Sequence, residues 1–202
     1  MIFNRTSISR LAQGAAVLAT LVTVGCDDPL GPVDSIPITL TINSMNSSDI
    51  DPPGTIEKDE NISTETGNPW GEFIRVAETE CQADPSAFEA LSASISLDVP
   101  GSSNVTSLDE VISGVATVFF MSTRGSDAEA VSVNVASGTV TSGVDPVALP
   151  VVASRSQLQT IHERMLGGDF HVGLNAVTDR LDTDDFSMDV RVTISARAIC
   201  GG

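Results

Sequence analysis

Two histidines, His162 and His171, are the first places to look for chemistry. Nucleophilic catalysis needs a serine or cysteine activated by a histidine that a third group orients. Neither histidine has such a partner at a telling distance along the chain, and neither G-x-S-x-G nor H-E-x-x-H occurs. The run IHERM (161–165) sets His162 beside Glu163 but offers no second histidine. Both histidines are expected on the surface with ordinary hydrogen-bond partners. The densest acid cluster is DRLDTDD (179–185), with Asp179, Asp182, Asp184 and Asp185. Calcium takes about six to eight oxygen ligands, and this run could supply some of them. It lacks the central glycine and closing glutamate of an EF-hand loop, so the expectation is a solvated turn with no metal and no cofactor. Nothing selects a carboxylate pair for glycoside hydrolysis. The run GSSNVTS (101–107) lacks the lysine and following helix of a phosphate-binding loop. The chain reads as a non-enzyme.

The third reactive residue type is cysteine, at positions 26, 81 and 200. The first closes the run LATLVTVGCDD (18–28). Arg5 and Arg10 form a basic head, and Leu11 to Val24 carry almost no polarity beyond Gln13 and two threonines. The apolar stretch is shorter than the roughly 20 residues that span a bilayer. That length behind a positive head reads as a secretory signal peptide over residues 1–25. The small residue Gly25 directly precedes Cys26, with Leu21 and Val22 upstream and Thr23 where a leucine is usual. This stretch resembles the bacterial lipobox, and the resemblance covers the signal peptide alone. It implies that Cys26 becomes the lipidated first residue of the mature chain. It further implies a lipoprotein attached to a bacterial cell envelope, on the periplasmic or outer-surface side. One buried acyl chain gives only marginal anchoring; the modification that the resemblance implies supplies more than one, so attachment to the membrane would be durable. With Cys26 consumed by lipid, Cys81 and Cys200 remain as an even pair in an exported chain, which reads as a disulfide.

The formal charge of the whole chain is −17. Loss of Arg5 and Arg10 with the signal peptide leaves 8 basic against 27 acidic residues, a charge of −19. Such a surface repels nucleic acid, which is excluded as a partner. The chain has no tyrosine and one tryptophan, Trp70, few aromatics for a sugar-binding groove.

Positioning falls to strands. Residues 26–34 form a tether with prolines and a glycine, and residues 35–202 a single domain. SIPITLTIN (35–43) alternates through Ile36, Ile38, Leu40 and Ile42, with Pro37 marking an edge strand. Residues 44–80 hold nine acids and two bases among Asn, Ser, Pro and Gly and read as a long, partly disordered acidic loop. Within it Trp70 and Phe73 either clip the loop to the domain or form a contact site; the clip is the stronger expectation. LSASISLDVPG (91–101) puts Leu91, Ala93, Ile95, Leu97 and Val99 on one face, and Pro100 and Gly101 end the strand. GVATVFFMS (114–122) is apolar on both faces, as a central strand requires. Strands also follow over AVSVNVASGTV (130–140), VALPVVAS (147–154) and DFHVGLNAV (169–177). One short helix is expected at about 155–166, capped by Ser156 with Gln159 and stopped by Gly167 and Gly168. The last strand alternates without a break from Phe186 to Ala198 and carries Cys200 on its inward phase.

About seven strands with polar turns predict an all-β antiparallel sandwich, immunoglobulin-like in architecture only. A partly closed barrel is the alternative. The function expected is a non-catalytic, envelope-anchored binding or scaffold module whose partner is a protein or other envelope ligand. The alternative is a carrier of a lipid or other apolar ligand, with the helix capping a cavity lined by Phe119, Phe120, Met165 and Phe170.

Overall fold

In the computed structural model residues 31–51, 54–62, 68–122, 130–168 and 170–201 are described. The stretch expected to be a signal peptide, Cys26 and most of the expected tether lie outside them. The described residues form an antiparallel β-sandwich of two five-stranded sheets. The first sheet holds β1 (Val33–Asp34), β2 (Ile38–Asn46), β5 (Ala87–Ser103), β8 (Val147–Leu149) and β10 (Ser187–Ile199). The second holds β3 (Ile50–Asp51), β4 (Thr55–Ile62), β6 (Val115–Ser122), β7 (Ser132–Thr139) and β9 (Phe170–Val177).

β10 is the backbone of the first sheet. Its inward row of Met188, Val190, Val192, Ile194, Ala196 and Ala198 is fully buried, as period-two alternation demands. It pairs with β5 on one side and with both β1 and β2 on the other. β1 and β2 are thus one edge strand interrupted at residues 35–37. Pro37 has no N–H to give, and the break turns Ile36 outward, 83% exposed, instead of leaving it in the inward row with Ile38. Ser35 spans the gap: its N–H donates to Ala196 O at 2.8 Å, and its Oγ accepts from Ala196 N at 2.8 Å. Beside it the Arg197 guanidinium grips Asp34 with two bonds, 2.5 and 2.9 Å. That grip holds the Asp34 carboxyl below its ordinary value. A carboxylate with a depressed pKa contributes stability above its unfolded value and loses it as pH falls through the folded one. We therefore expect hydrogen-exchange protection of the Ser35 amide at neutral pH and its selective loss under acid, below the usual carboxylate range. Protection unchanged by acid would mean that the ion pair does not hold β1.

Two expected inward residues of β5 point out instead. Ser195 pairs with Ser92 but Ala196 with Ala90, so Leu91 is the extra residue of a β-bulge and is exposed. The bulge resets the phase: Phe88 faces in before it, and Ala93, Ile95 and Leu97 after it. A second irregularity takes Val99 outward, and the strand continues through Pro100 and Gly101 to Ser103 instead of ending there. Gly101 is required at that point, because a Cβ would collide with the Asp189 carboxylate, which accepts from Ser44 N at 2.7 Å.

Residues 44–80 are not a loop. They contain β3, β4, a 3-10 turn at Ser47–Asp49 and helix α1 (Pro69–Cys81). β4 lies at the open side of the sandwich, and its inward row runs Ile56, Lys58, Glu60, Ile62. The two polar members reach across to the first sheet. Lys58, the only lysine of the chain, donates from Nζ to Ser44 O at 3.0 Å and Asp49 Oδ2 at 3.2 Å. Glu60 Oε1 accepts from Asn43 N at 3.1 Å. Lys58→Met keeps the length of the stem and removes these bonds. It should cost about 1–2 kcal/mol in urea denaturation; an unchanged midpoint would show that the sheets need no such tie.

α1 starts at Asn68, whose Oδ1 accepts from Trp70 N at 2.8 Å, with Pro69 as its first residue. Its buried stripe is Trp70, Phe73, Ile74, Ala77 and Cys81. Trp70 and Phe73 are therefore core residues that clip this stretch to the domain. Trp70 packs against Phe88 of the first sheet and against Phe120 and Phe170 of the second. The helix expected over 155–166 is α2 (Arg155–Leu158), a 3-10 turn (Gln159–Ile161) and α3 (His162–Gly167). Its capping box is Ser154 with Gln157, two residues earlier than expected, and Gly168 ends it at φ 65°. It meets α1 where Trp70 Nε1 donates to Met165 O at 2.9 Å.

One crossing of the chain joins the two sheets, and one disulfide staples α1 to the first. Leu149 pairs with Ala93 in the first sheet while Val151 bridges Ala136 in the second, so the chain changes sheet across Pro150. Cys81, at the end of α1, forms a disulfide with Cys200, beyond β10, with 5.0 Å between the Cα atoms.

Candidate outer-face binding site

The outer side of the second sheet is built by strict alternation. β6 turns Ala116, Val118 and Phe120 inward and Thr117, Phe119 and Met121 outward. Registers place these beside three outward residues of β9 and three of β4. The rows are Glu57, Asn175 and Thr117; then Asp59, Gly173 and Phe119; then Asn61, His171 and Met121. β7 adds Asn134 opposite Phe119 and Ser132 opposite Met121.

Cross-strand bonds fix the polar members. Asn175 Nδ2 donates to Glu57 Oε2 at 2.6 Å, and the Thr117 and Ser137 hydroxyls lie 2.8 Å apart. His171 Nδ1 is 2.5 Å from Asp59 Oδ2. At the centre Gly173 leaves room for the Phe119 ring, which lies where a Cβ would stand and is only 5% exposed. Around it opens a shallow depression of about 350 Å³ lined by Glu57, Thr117, Phe119, Met121, Ser132, Asn134 and Asn175. It offers amide, hydroxyl and carboxylate groups around an aromatic floor.

Gly173→Ala is expected to displace Phe119 and cost about 1–3 kcal/mol. Phe119→Leu in the same chain should recover part of that loss. A double-mutant cycle in urea with additive effects would show that the two residues do not share the space.

His171 is thus half of an acid-oriented histidine arrangement. Among the described residues no hydroxyl or thiol is hydrogen-bonded to it. His162 is not on the surface: it is 6% exposed, its ring lies 5.2 Å from that of Phe88, and its Nδ1 has no partner among the described residues. The helical stripe that buries Leu158, Ile161 and Met165 carries it inward.

The four aspartates of 179–185 do not converge. Asp184 Oδ2 accepts from Leu181 N at 3.1 Å, and Asp185 accepts through its carbonyl from Asn104 Nδ2 at 3.2 Å. Asp179 and Asp182 line a separate shallow depression with Arg180. Among the described residues no three His, Cys, Asp or Glu side chains stand together as metal ligands. The space expected for an apolar ligand is closed: Phe120, Met165, Trp70 and their neighbours leave about 10 Å³, about enough for a single water. Phe119 lies on the opposite side of its sheet. Cys26 is outside the described residues.

Sequence reasoning missed Glu57, Asp59, Asn175 and Asn134. The outward phase of β9 and β6 is a readable signal, but by composition β4 reads as loop, which leaves its carboxylates no face to belong to.

No family model and no curated protein matches the chain. Among solved structures it is similar to a chain from Cocksfoot mottle virus, at 10% identity and a TM-score of 0.30, over 99% of this chain and 97% of that one. A likeness at that score bears on no function.

Proposed function

We propose that the chain is a non-catalytic binding lipoprotein, anchored in a bacterial cell envelope through Cys26, that presents the outer face of its second sheet to an envelope partner. The observation that carries the binding part is the depression around Phe119, where hydrogen-bonding groups surround an aromatic floor. β1, the first described strand, belongs to the other sheet, so an anchor at Cys26 would attach on the layer opposite this face. Glu57 and Asp59, on a chain of strong negative charge, favour a partner with basic or hydrogen-bond-donating groups. The lipobox-like run ending at Gly25 and Cys26 supports the anchor. Among the described residues no helix is long and apolar enough to cross a membrane. The sealed core gives the carrier alternative no support.

The test has two arms. Mass spectrometry of protein extracted from membranes should find a diacylglyceryl adduct on Cys26 at the new N-terminus; its absence sinks the anchor. Affinity capture from envelope extracts is then compared with a Ser132→Arg, Asn134→Arg variant, both positions being exposed on the rim. Partners should be lost from the variant. Equal recovery would sink the assignment of binding to this face.

A further inference from the structure

A further concavity lies at the opposite layer, where the break between β1 and β2 faces α1. It has a volume of about 200 Å³ and is lined by Asp34, Ser35, Ile36, Pro37, Ile38, Pro69, Glu72, Phe73 and Val76. Ile36 and Val76 stand exposed on its rim, at 83% and 51%. We infer that this apolar groove seats the body on the surface of the lipid bilayer that holds the anchor. The inference rests on the lipoprotein reading and adds an orientation to it.

Two observations identify lipid as the occupant. The first is reach. Five peptide units separate Cys26 from Gly31, at most about 18 Å of chain. Gly31 O lies 3.1 Å from Cys200 Sγ, and Cys200 is bonded to the end of the helix that forms one wall. Asp34, on the groove itself, follows Gly31 by three residues. An anchor at Cys26 therefore holds the groove within a short distance of the headgroups, at high effective concentration.

The second is charge. The mature chain carries −19, which an anionic surface resists. The two acids in the groove are each paired: Asp34 with Arg197, and Glu72 with Arg75. The lining is locally neutral on a molecule that is otherwise strongly acidic. Moving exposed aliphatic side chains out of water lowers the free energy, and paired rim charges do not oppose it.

Ile36→Trp in the full, lipidated chain supplies the probe; Trp70, 1% exposed, gives a constant background. The protein is reconstituted in phosphatidylcholine vesicles with and without brominated acyl chains. Val144→Trp, in the turn before the far-edge strand β8, is the control. The expected result is a blue shift and loss of the added emission for I36W in brominated vesicles, and neither for V144W. Mass spectrometry of the same sample reads the Cys26 adduct. Adduct present with I36W unquenched overturns the seating and leaves the anchor intact; the groove then belongs to a protein partner or to water. Equal quenching of both probes overturns it as well, since the body would have no preferred orientation. No adduct overturns the anchor and the seating together.

Discussion

Trp70→Ala is expected to cost about 3–5 kcal/mol in equilibrium denaturation, the upper end of what a single core truncation does. Trp70 is 1% exposed and lies within ring-contact range of four phenylalanines: Phe73, Phe88, Phe120 and Phe170. These come from α1 and from both sheets, so the indole is the piece that the helix and the two layers share. Alanine leaves a void bounded by strand backbones that the ladders hold in place, which limits collapse. It also strands the Met165 carbonyl, which accepts from Nε1. Trp70→Phe separates the two contributions. It keeps most of the volume and removes the donor, and should cost about 1–3 kcal/mol. Two variants equally close to wild type would mean that the cluster is packed loosely.

The Cys81→Ala, Cys200→Ala variant should lose about 4–5 kcal/mol, because the bridge closes a loop of 119 residues and removes that much entropy from the unfolded chain. For a domain whose whole stability is about 5–15 kcal/mol, this is a large share. The loss appears as a lower urea midpoint for the variant than for the oxidised wild type. Wild type under strong reductant should fall to the same midpoint as the variant. If reduction shifts the wild type and the variant stays at the oxidised midpoint, the bridge is not what stabilises the fold.

The sequence was most legible where one face is wholly buried and both neighbours are paired. β10 shows this: every residue of its inward row from Met188 to Ala198 is buried, and period two needs no further help. Its phase also carried Cys200 to the side where Cys81 meets it. β4 failed for the converse reason. It lies toward the open side of the sandwich, so Lys58 and Glu60 occupy inward positions and find polar partners across the gap. By composition such a strand looks like a loop. α1 was written in the sequence as an Asn-Pro start and a stripe from Trp70 to Cys81, but its acidic solvent face hid it within a polar stretch. Leu91 could not be placed from alternation, since a bulge is a property of the pairing and not of one strand. The outer-face site depended on all of these: Glu57 and Asp59 acquire a role only once β4 is a strand, and Phe119 only once its ring is seen to fill the place that Gly173 leaves empty.

Gly31 and Cys200 touch, so the first and last described segments share one corner of the molecule. A few added residues could join them and make the path of the chain a closed ring. Fresh termini could then be cut in the exposed turn at 141–145, between β7 and β8, without breaking a strand ladder. Such a circular permutant would keep both sheets and the outer face while moving the attachment point to the far edge, turning the molecule over on whatever surface holds it.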